Sequence, residues 1–412
     1  MKASRTRAWT LPRWIAAGAV AAVAAALTSG ASSLAASPRP SQASAQSPGV
    51  IYVSPSGSDT SGNGTKASPY QTIGYAVSAA SDGSTIVVEP GVYREEVTIA
   101  GKTLTLEGTS AAASVVADTV IDASGDANGI LITGPATAGT AVRDLTVTDA
   151  QKAGIVAIST TRLSLTHLDV TNNDQSCNGY QGCRTPIQQE TFTLTNSAPC
   201  SATNDCEALH LVGVSNSTVA WDTVENNLDG GIYLTDETGP SVGNVIAHDT
   251  VVNNQVDCGI TLASHNPAAA ADPTKGGIYA NVVRDNVADG NGAAGILIGA
   301  APPGAAAFDN TIEDNAAENN GLGGIDIHAH APGQDVSGNA IVGNTVSGNA
   351  PDFGVTTAPS GIVVMSAVSP VNDLVIEGNT VVDETDGIWL VGVAAPVVEN
   401  NLFLNVAKPY TP

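Results

Sequence analysis

Along most of the chain a short apolar phrase, Gly-Ile-x-(Leu/Ile/Val), keeps returning. It begins at Gly129, Gly154, Gly231, Gly259, Gly295, Gly324, Gly361 and Gly387, and a looser copy, Ala208-Leu209-His210-Leu211, fills the widest gap. The steps between anchors are 25, 54, 23, 28, 36, 29, 37 and 26 residues, a base period in the mid-twenties with insertions in the longer steps. Within each phrase apolar positions alternate with others, which is the pattern of a short strand with one face buried. A second phrase rich in Asn and Val lies between the first ones, as in Asn281-Val-Val-Arg-Asp-Asn286, Asn310-Thr-Ile-Glu-Asp-Asn315 and Asn344-Thr-Val-Ser-Gly-Asn349. Two or three short strands per period, joined by Asn and Gly corners that tolerate left-handed backbone, leave no room for a helix. Such a period is one rung of a coil. The pattern predicts an all-β, right-handed parallel β-helix of about ten rungs spaced about 4.8 Å apart, with Asn side chains bonded from rung to rung.

The N-terminal part departs from this rhythm. Ile51-Tyr-Val53 predicts a strand, and Ile73, Ala76, Val77 and Ala80 fall at i, i+3, i+4 and i+7, the spacing of one amphipathic helix. That helix is expected to cap the first rung, whose open edge would otherwise invite pairing with another chain. Upstream, Lys2, Arg5, Arg7 and Arg13 precede an apolar run from Trp14 to Leu27, followed by small-residue cleavage sites at Ser29-Gly-Ala31 or Ala43-Ser-Ala45. Residues 1–45 therefore read as a secretory signal and leader, 46–110 as the cap and first rungs, and 111–412 as the repeats. The apolar run falls short of a membrane span. Secretion, and no membrane contact after cleavage, are the expectation.

Composition adds three constraints. Aromatic residues make up only 4% of the chain, which suits a narrow interior of small and branched side chains. Loss of residues 1–31 leaves eleven basic against 39 acidic residues, a net charge of −28, which argues against nucleic acid or anionic membranes as partners. Four of the five cysteines crowd into an excursion at 172–207: Cys177 and Cys183, Cys200 and Cys206. In an oxidising compartment they predict a loop stapled by two disulfides in one of three connectivities, of which the matching spacings favour Cys177–Cys183 with Cys200–Cys206; a zinc site is the alternative, though C-x5-C matches zinc-ligand spacing poorly, and Cys258 is expected as a buried thiol.

The stretches Ile51-Tyr-Val-Ser-Pro-Ser-Gly-Ser-Asp59, Ala67-Ser-Pro-Tyr-Gln-Thr-Ile73 and Ile86-Val-Val-Glu-Pro-Gly-Val-Tyr93, with the repeats that follow, resemble secreted bacterial proteins of the pectin-lyase-like β-helix superfamily. The resemblance implies the fold. It does not choose among the lyases, hydrolases, epimerases and non-catalytic members of that superfamily. Arg184-Thr-Pro186 begins a pectate-lyase-like motif, but Gln189 stands where the second Arg belongs. Asp326-Ile-His328 shares the spacing of the Asp-Pro-His of mannuronan epimerases without its Pro.

With Ile325 and Ile327 inward, Asp326 and His328 are expected to face outward together, with His330 continuing the set. His265 ends a strand two rungs earlier, so these groups are expected to gather at one strand end. His328 or His330 would serve as the base, Asp326 would orient it, and Lys275 or Arg284 would neutralise a uronate carboxylate. His210 and Tyr233, placed too far off to join that cluster, are expected with His265 to contact a long ligand. The acid excess is compatible with bound Ca²⁺.

The expected function is action on, or binding of, an extracellular polysaccharide by a monomer, as a uronate-polymer lyase or epimerase. The alternative is a non-catalytic extracellular polysaccharide-binding or structural repeat protein, with Tyr233 and Trp389 as stacking platforms. Metal handling, as in copper-delivering periplasmic repeat proteins of similar fold, is disfavoured by a total of two methionines.

Overall fold

A computed structural model of the chain describes residues 48–109, 118–175, 207–352 and 355–412. The signal segment and the cysteines Cys177, Cys183, Cys200 and Cys206, with their expected disulfides, lie outside the described residues.

Three long parallel sheets run side by side along the protein. The first has twelve strands, from Val50–Val53 to Val397–Glu399; the second and third have eleven each, from Val97–Ala100 to Lys408–Thr411 and from Gly91–Tyr93 to Leu402–Leu404. Each rung visits the sheets in turn. Ile296–Ala300 lies in the second sheet, Thr311–Glu313 in the first and Ala316–Glu318 in the third, and Ile325–Ala329 returns to the second beside Ile296–Ala300. This is the right-handed parallel β-helix, with the hand that parallel crossovers take. The eleven strands of the second sheet stand close to the ten rungs expected.

Register keeps the interior stacked. Ile296, Ile325, Ile362 and Ile388 are neighbours in successive rungs, as are Ile298, Ile327, Val364 and Leu390, and all are buried. A period of two puts one set inside, and parallel pairing repeats it at each rung.

The corners are held by three ladders of buried polar side chains. One runs Ser217, Asn244, Asn281, Asn310, Asn339; a second Asp222, Asp249, Asn286, Asn315, Asn344, Asn379, Asn401; a third Asn173, Asn227, Asn254, Asn291, Asn320, Asn349, Glu384. Each Asn accepts a backbone N–H from the preceding rung. Within a ladder its Nδ2 donates to the next Asn and to a carbonyl across the corner, as Asn315 does to Asn344 Oδ1 and Val283 O, both at 2.9 Å, while at the ladder ends Asn339 and Asn401 donate to carbonyls and Asn349 to Glu384. Buried amides are thereby satisfied in both senses. The residue before the ladder Asn takes left-handed backbone, as at Asp285 (φ 56°) and Asp314 (φ 54°).

The ladders also account for the recurring glycine. A Cβ on Gly295 would stand 2.7 Å from Asn320 Nδ2, and one on Gly259 would stand 2.6 Å from Asn291 Nδ2. At the N-terminal end the helix Ile73–Ala79 buries Ile73, Ala76 and Val77 against the first rungs, as its spacing predicts, with Thr72 Oγ1 accepting Tyr75 N–H at its start. No helix among the described residues is long and apolar enough to cross a membrane.

Candidate functional site

The outer face of the second sheet carries most of the chemistry-bearing side chains. Two clusters form there, about two rungs apart.

The first cluster unites residues from three successive rungs. His210 and Tyr233 are register partners, and their rings stack with centroids 5.2 Å apart. The Tyr233 hydroxyl lies 2.9 Å from His265 Nε2, and His265 Nδ1 lies 2.7 Å from Glu237 Oε1. Asp236, fully buried, fixes the backbone below: it accepts His265 N–H at 2.6 Å, Ser264 Oγ–H at 2.7 Å and Gly277 N–H at 2.5 Å. Burial outweighs those bonds and holds Asp236 above the usual carboxylate range. Glu237 is held below it: burial pushes it up, but the hydrogen bond and charge of His265, with Thr235, more than offset that.

The second cluster is Asp326, His328, His330 and Asp352. His328 Nε2 is 2.8 Å from Asp352 Oδ2, and the rings of His328 and His330 meet edge to face at 5.3 Å. One ligand-type atom from each of Asp326, His328 and Asp352 lies within 4.8 Å of the others. His330 titrates below the ordinary histidine value, chiefly through burial and then through His328, against the pull of Asp352. Gln334, buried, ties the strand end by accepting His330 N–H and Ala331 N–H at 2.5 and 2.6 Å.

Between the clusters lies the buried Gly299. Gly299 pairs with Ala263 on one side and His328 on the other, and nothing lies within 4 Å of the place its Cβ would take. The insertion at 266–276 and the loops 301–305 and 331–335 stack on one another, with Ala270 N–H bonded to Gly304 O and Gly304 N–H to Pro332 O. They rise beside the strand ends that carry His265 and His330.

Four expectations require correction. Alternation places Asp326 and His328 at the surface, yet Asp326 is fully buried and His328 is 7% exposed. Gly323 packs onto the Asp326 carboxylate and Asp352 closes over His328, so the turns flanking the strand cover a face that alternation alone leaves open. His265 is expected beside His328 and His330, but its partners are Tyr233 and Glu237, so Tyr233 and His210 belong to its cluster. Lys275 is exposed on the insertion and pairs with Asp272 at 3.4 Å. Arg284 lies in the first sheet, on Val282–Arg284, and bonds Asp285 at 2.6 Å. Neither cation reaches the two clusters by these contacts.

The repeat pattern does not single out Glu237 or Asp352. Both sit in turns, where no period fixes direction; Glu237 does follow, with Asp236, directly after the Tyr233 strand, and that adjacency is the available signal.

The coil and its lined outer face define a protein of the pectin-lyase-like, right-handed β-helix superfamily. The family model described as "Periplasmic copper-binding protein (NosD)" matches residues 177–405, and the chain belongs to that family. Among solved structures it is similar to the alginate lyase from Paenibacillus sp. str. FPU-7 (15% identity, 84% of this chain and 99% of that one, TM-score 0.53). It is also similar to pectate lyase Pel9A (16%, 85% and 80%, TM-score 0.51) and to DFA-IIIase from Arthrobacter chlorophenolicus A6 without its lid (12%, 88% and 91%, TM-score 0.54). At these identities the likeness is one of fold. Comparison with curated proteins gives no match.

Proposed function

We propose that the protein is exported through its leader and acts on a polysaccharide laid along the outer face of the second sheet, with Tyr233 as the proton-transferring group. The observation that carries this reading is the unbroken chain Glu237–His265–Tyr233, with contacts of 2.7 and 2.9 Å. Glu237 holds His265 by Nδ1 and stabilises the imidazolium that forms when Nε2 takes the phenolic proton. The Tyr233 oxygen then removes the proton next to the carboxylate of a uronate.

In β-elimination the C–H electron pair becomes the new double bond, and the C4–O pair departs with the glycosidic oxygen. That oxygen takes a proton from Tyr233, which recovers it from His265. In epimerisation a solvent water on the opposite face protonates the same carbon, and the hydroxide left behind takes the imidazolium proton of His265 while Tyr233 keeps the proton it removed. The lyases of the same fold support a polysaccharide as substrate class.

The test is incubation in D₂O with alginate, pectate and other uronate polymers, following absorbance near 235 nm and deuterium entry at C5 by NMR. Wild type is expected to give one of the two signals and Tyr233→Phe neither. Absence of both from the wild type on every polymer refutes the enzymatic reading. Retained polymer binding would then favour the non-catalytic alternative, in which the stacked His210 and Tyr233 rings serve as a platform.

A further inference from the structure

We infer that Asp326, His328 and Asp352 form a site for one divalent first-row transition ion. Three different positions converge: Asp326 and His328 are two residues apart on the strand Ile325–Ala329, and Asp352 comes from the turn leading to the next rung. Their ligand-type atoms lie within 4.8 Å of one another, a separation that small side-chain rotations bring to the spacing of neighbouring ligands around one ion.

Burial supplies the second argument. Asp352 is fully buried, and its carboxylate accepts no hydrogen bond among the described residues; its close polar neighbour is His328 Nε2. Asp326 is fully buried beside it. Taking a carboxylate out of water costs several kcal/mol unless charge or hydrogen bonds offset it. A divalent cation at the centre of the three side chains would offset the cost of burying the Asp352 carboxylate.

The donor set selects the class of ion. An imidazole nitrogen with two monodentate carboxylates suits Cu²⁺, Zn²⁺ or Mn²⁺. Ca²⁺ requires six to eight oxygens, so the acid excess does not translate into a calcium site here. Met365 is the register partner of His328 and contributes one thioether at most, since the chain's other methionine is Met1. A thioether-rich cuprous site is therefore not built, and the copper of the family's description would fit as Cu²⁺. The ordinary stability series predicts Cu²⁺ tightest, then Zn²⁺, with Mn²⁺ weakest.

The site is tested by calorimetric titration of the full, untagged chain with CuCl₂, ZnCl₂, MnCl₂ and CaCl₂, and by electron paramagnetic resonance of the Cu²⁺ form. No polysaccharide is present, so the outcome is separate from the fate of Tyr233. One equivalent of Cu²⁺ and of Zn²⁺ is expected, with no comparable Ca²⁺ binding and hyperfine structure from a single imidazole nitrogen. Asp352→Asn is expected to weaken binding by about tenfold or more, and His328→Gln to abolish the nitrogen signal. Equal affinity in wild type and both variants, or no stoichiometric binding, overturns the proposal. Should either variant fail to fold, the wild-type spectrum decides: no nitrogen coupling, or coupling from two or more, overturns it.

Discussion

Gly324 lies so close to Asn349 that a Cβ on the glycine would stand 2.8 Å from the asparagine Nδ2 and 3.0 Å from Gly361 O. The glycine of one repeat phrase and the asparagine of the other are thus two sides of a single contact, made also by Gly154 with Asn173, Gly231 with Asn254, Gly259 with Asn291 and Gly295 with Asn320.

Substitution at that contact should be felt. Gly324→Ala is expected to cost about 1–3 kcal/mol, the usual range for overpacking, because neither the ladder amide nor the Gly361 carbonyl can withdraw without losing a bond. Gly299→Ala, whose Cβ would enter open space, is expected to change stability little. Chemical denaturation of the two variants side by side checks the contrast.

Removing an amide from mid-ladder should cost more. Asn315→Ala leaves Asn286 N–H and Nδ2 without their shared acceptor at 3.0 and 2.9 Å, and takes the Nδ2 donor from Asn344 Oδ1 and from Val283 O. A loss of roughly 3 kcal/mol or more is expected from several buried groups left unbonded. Denaturant midpoints measure it.

The second ladder begins with two carboxyl groups where amides stand elsewhere, and this makes stability depend on pH. Asp249 accepts Asp222 N–H through one oxygen, while its other oxygen is buried without a hydrogen-bond partner among the described residues. Burial raises Asp249 to about 7, against the bonds from Asp222 and Ala247, and raises Asp222 well above its ordinary value. A carboxyl raised on folding gives its full contribution below the unfolded value near 3.8 and loses it as pH climbs through the folded value. Melting temperature should therefore fall between about pH 4 and about pH 8. Asp249→Asn, which restores the amide, should flatten that fall, and its advantage over wild type should be larger at about pH 8 than at about pH 5.

Cys258 is fully buried beside Asp257, and burial, then that carboxylate, pushes its thiol far above the ordinary value. Little thiolate exists near neutral pH. Peptide-resolved labelling with a maleimide is expected to modify Cys258 only when the protein unfolds.

Much of the architecture is legible in the chain's own pattern. Alternation in Gly295-Ile-Leu-Ile298 and its copies marks the inward faces, and Asn at a fixed offset marks the corners, because both depend on neighbours a few residues away or one period away. The cap helix at Ile73–Ala79 is legible for the same reason. The outer face is not. Asp326 and His328 have an outward position by period, but their burial comes from Gly323 and Asp352, turn residues whose placement no period dictates.

The repeat by itself determined a coil with a small-residue interior and amide ladders, since identical local geometry stacked in register leaves one way to bury each phrase. Tertiary structure alone decided which outward side chains meet. Tyr233 joins His265 and Glu237, and Asp352 joins Asp326 and His328, while Lys275 and Arg284 engage neighbours of their own. Those partnerships depend on how loops of unequal length fold back over the sheet, and the hydrophobic pattern carries no record of that.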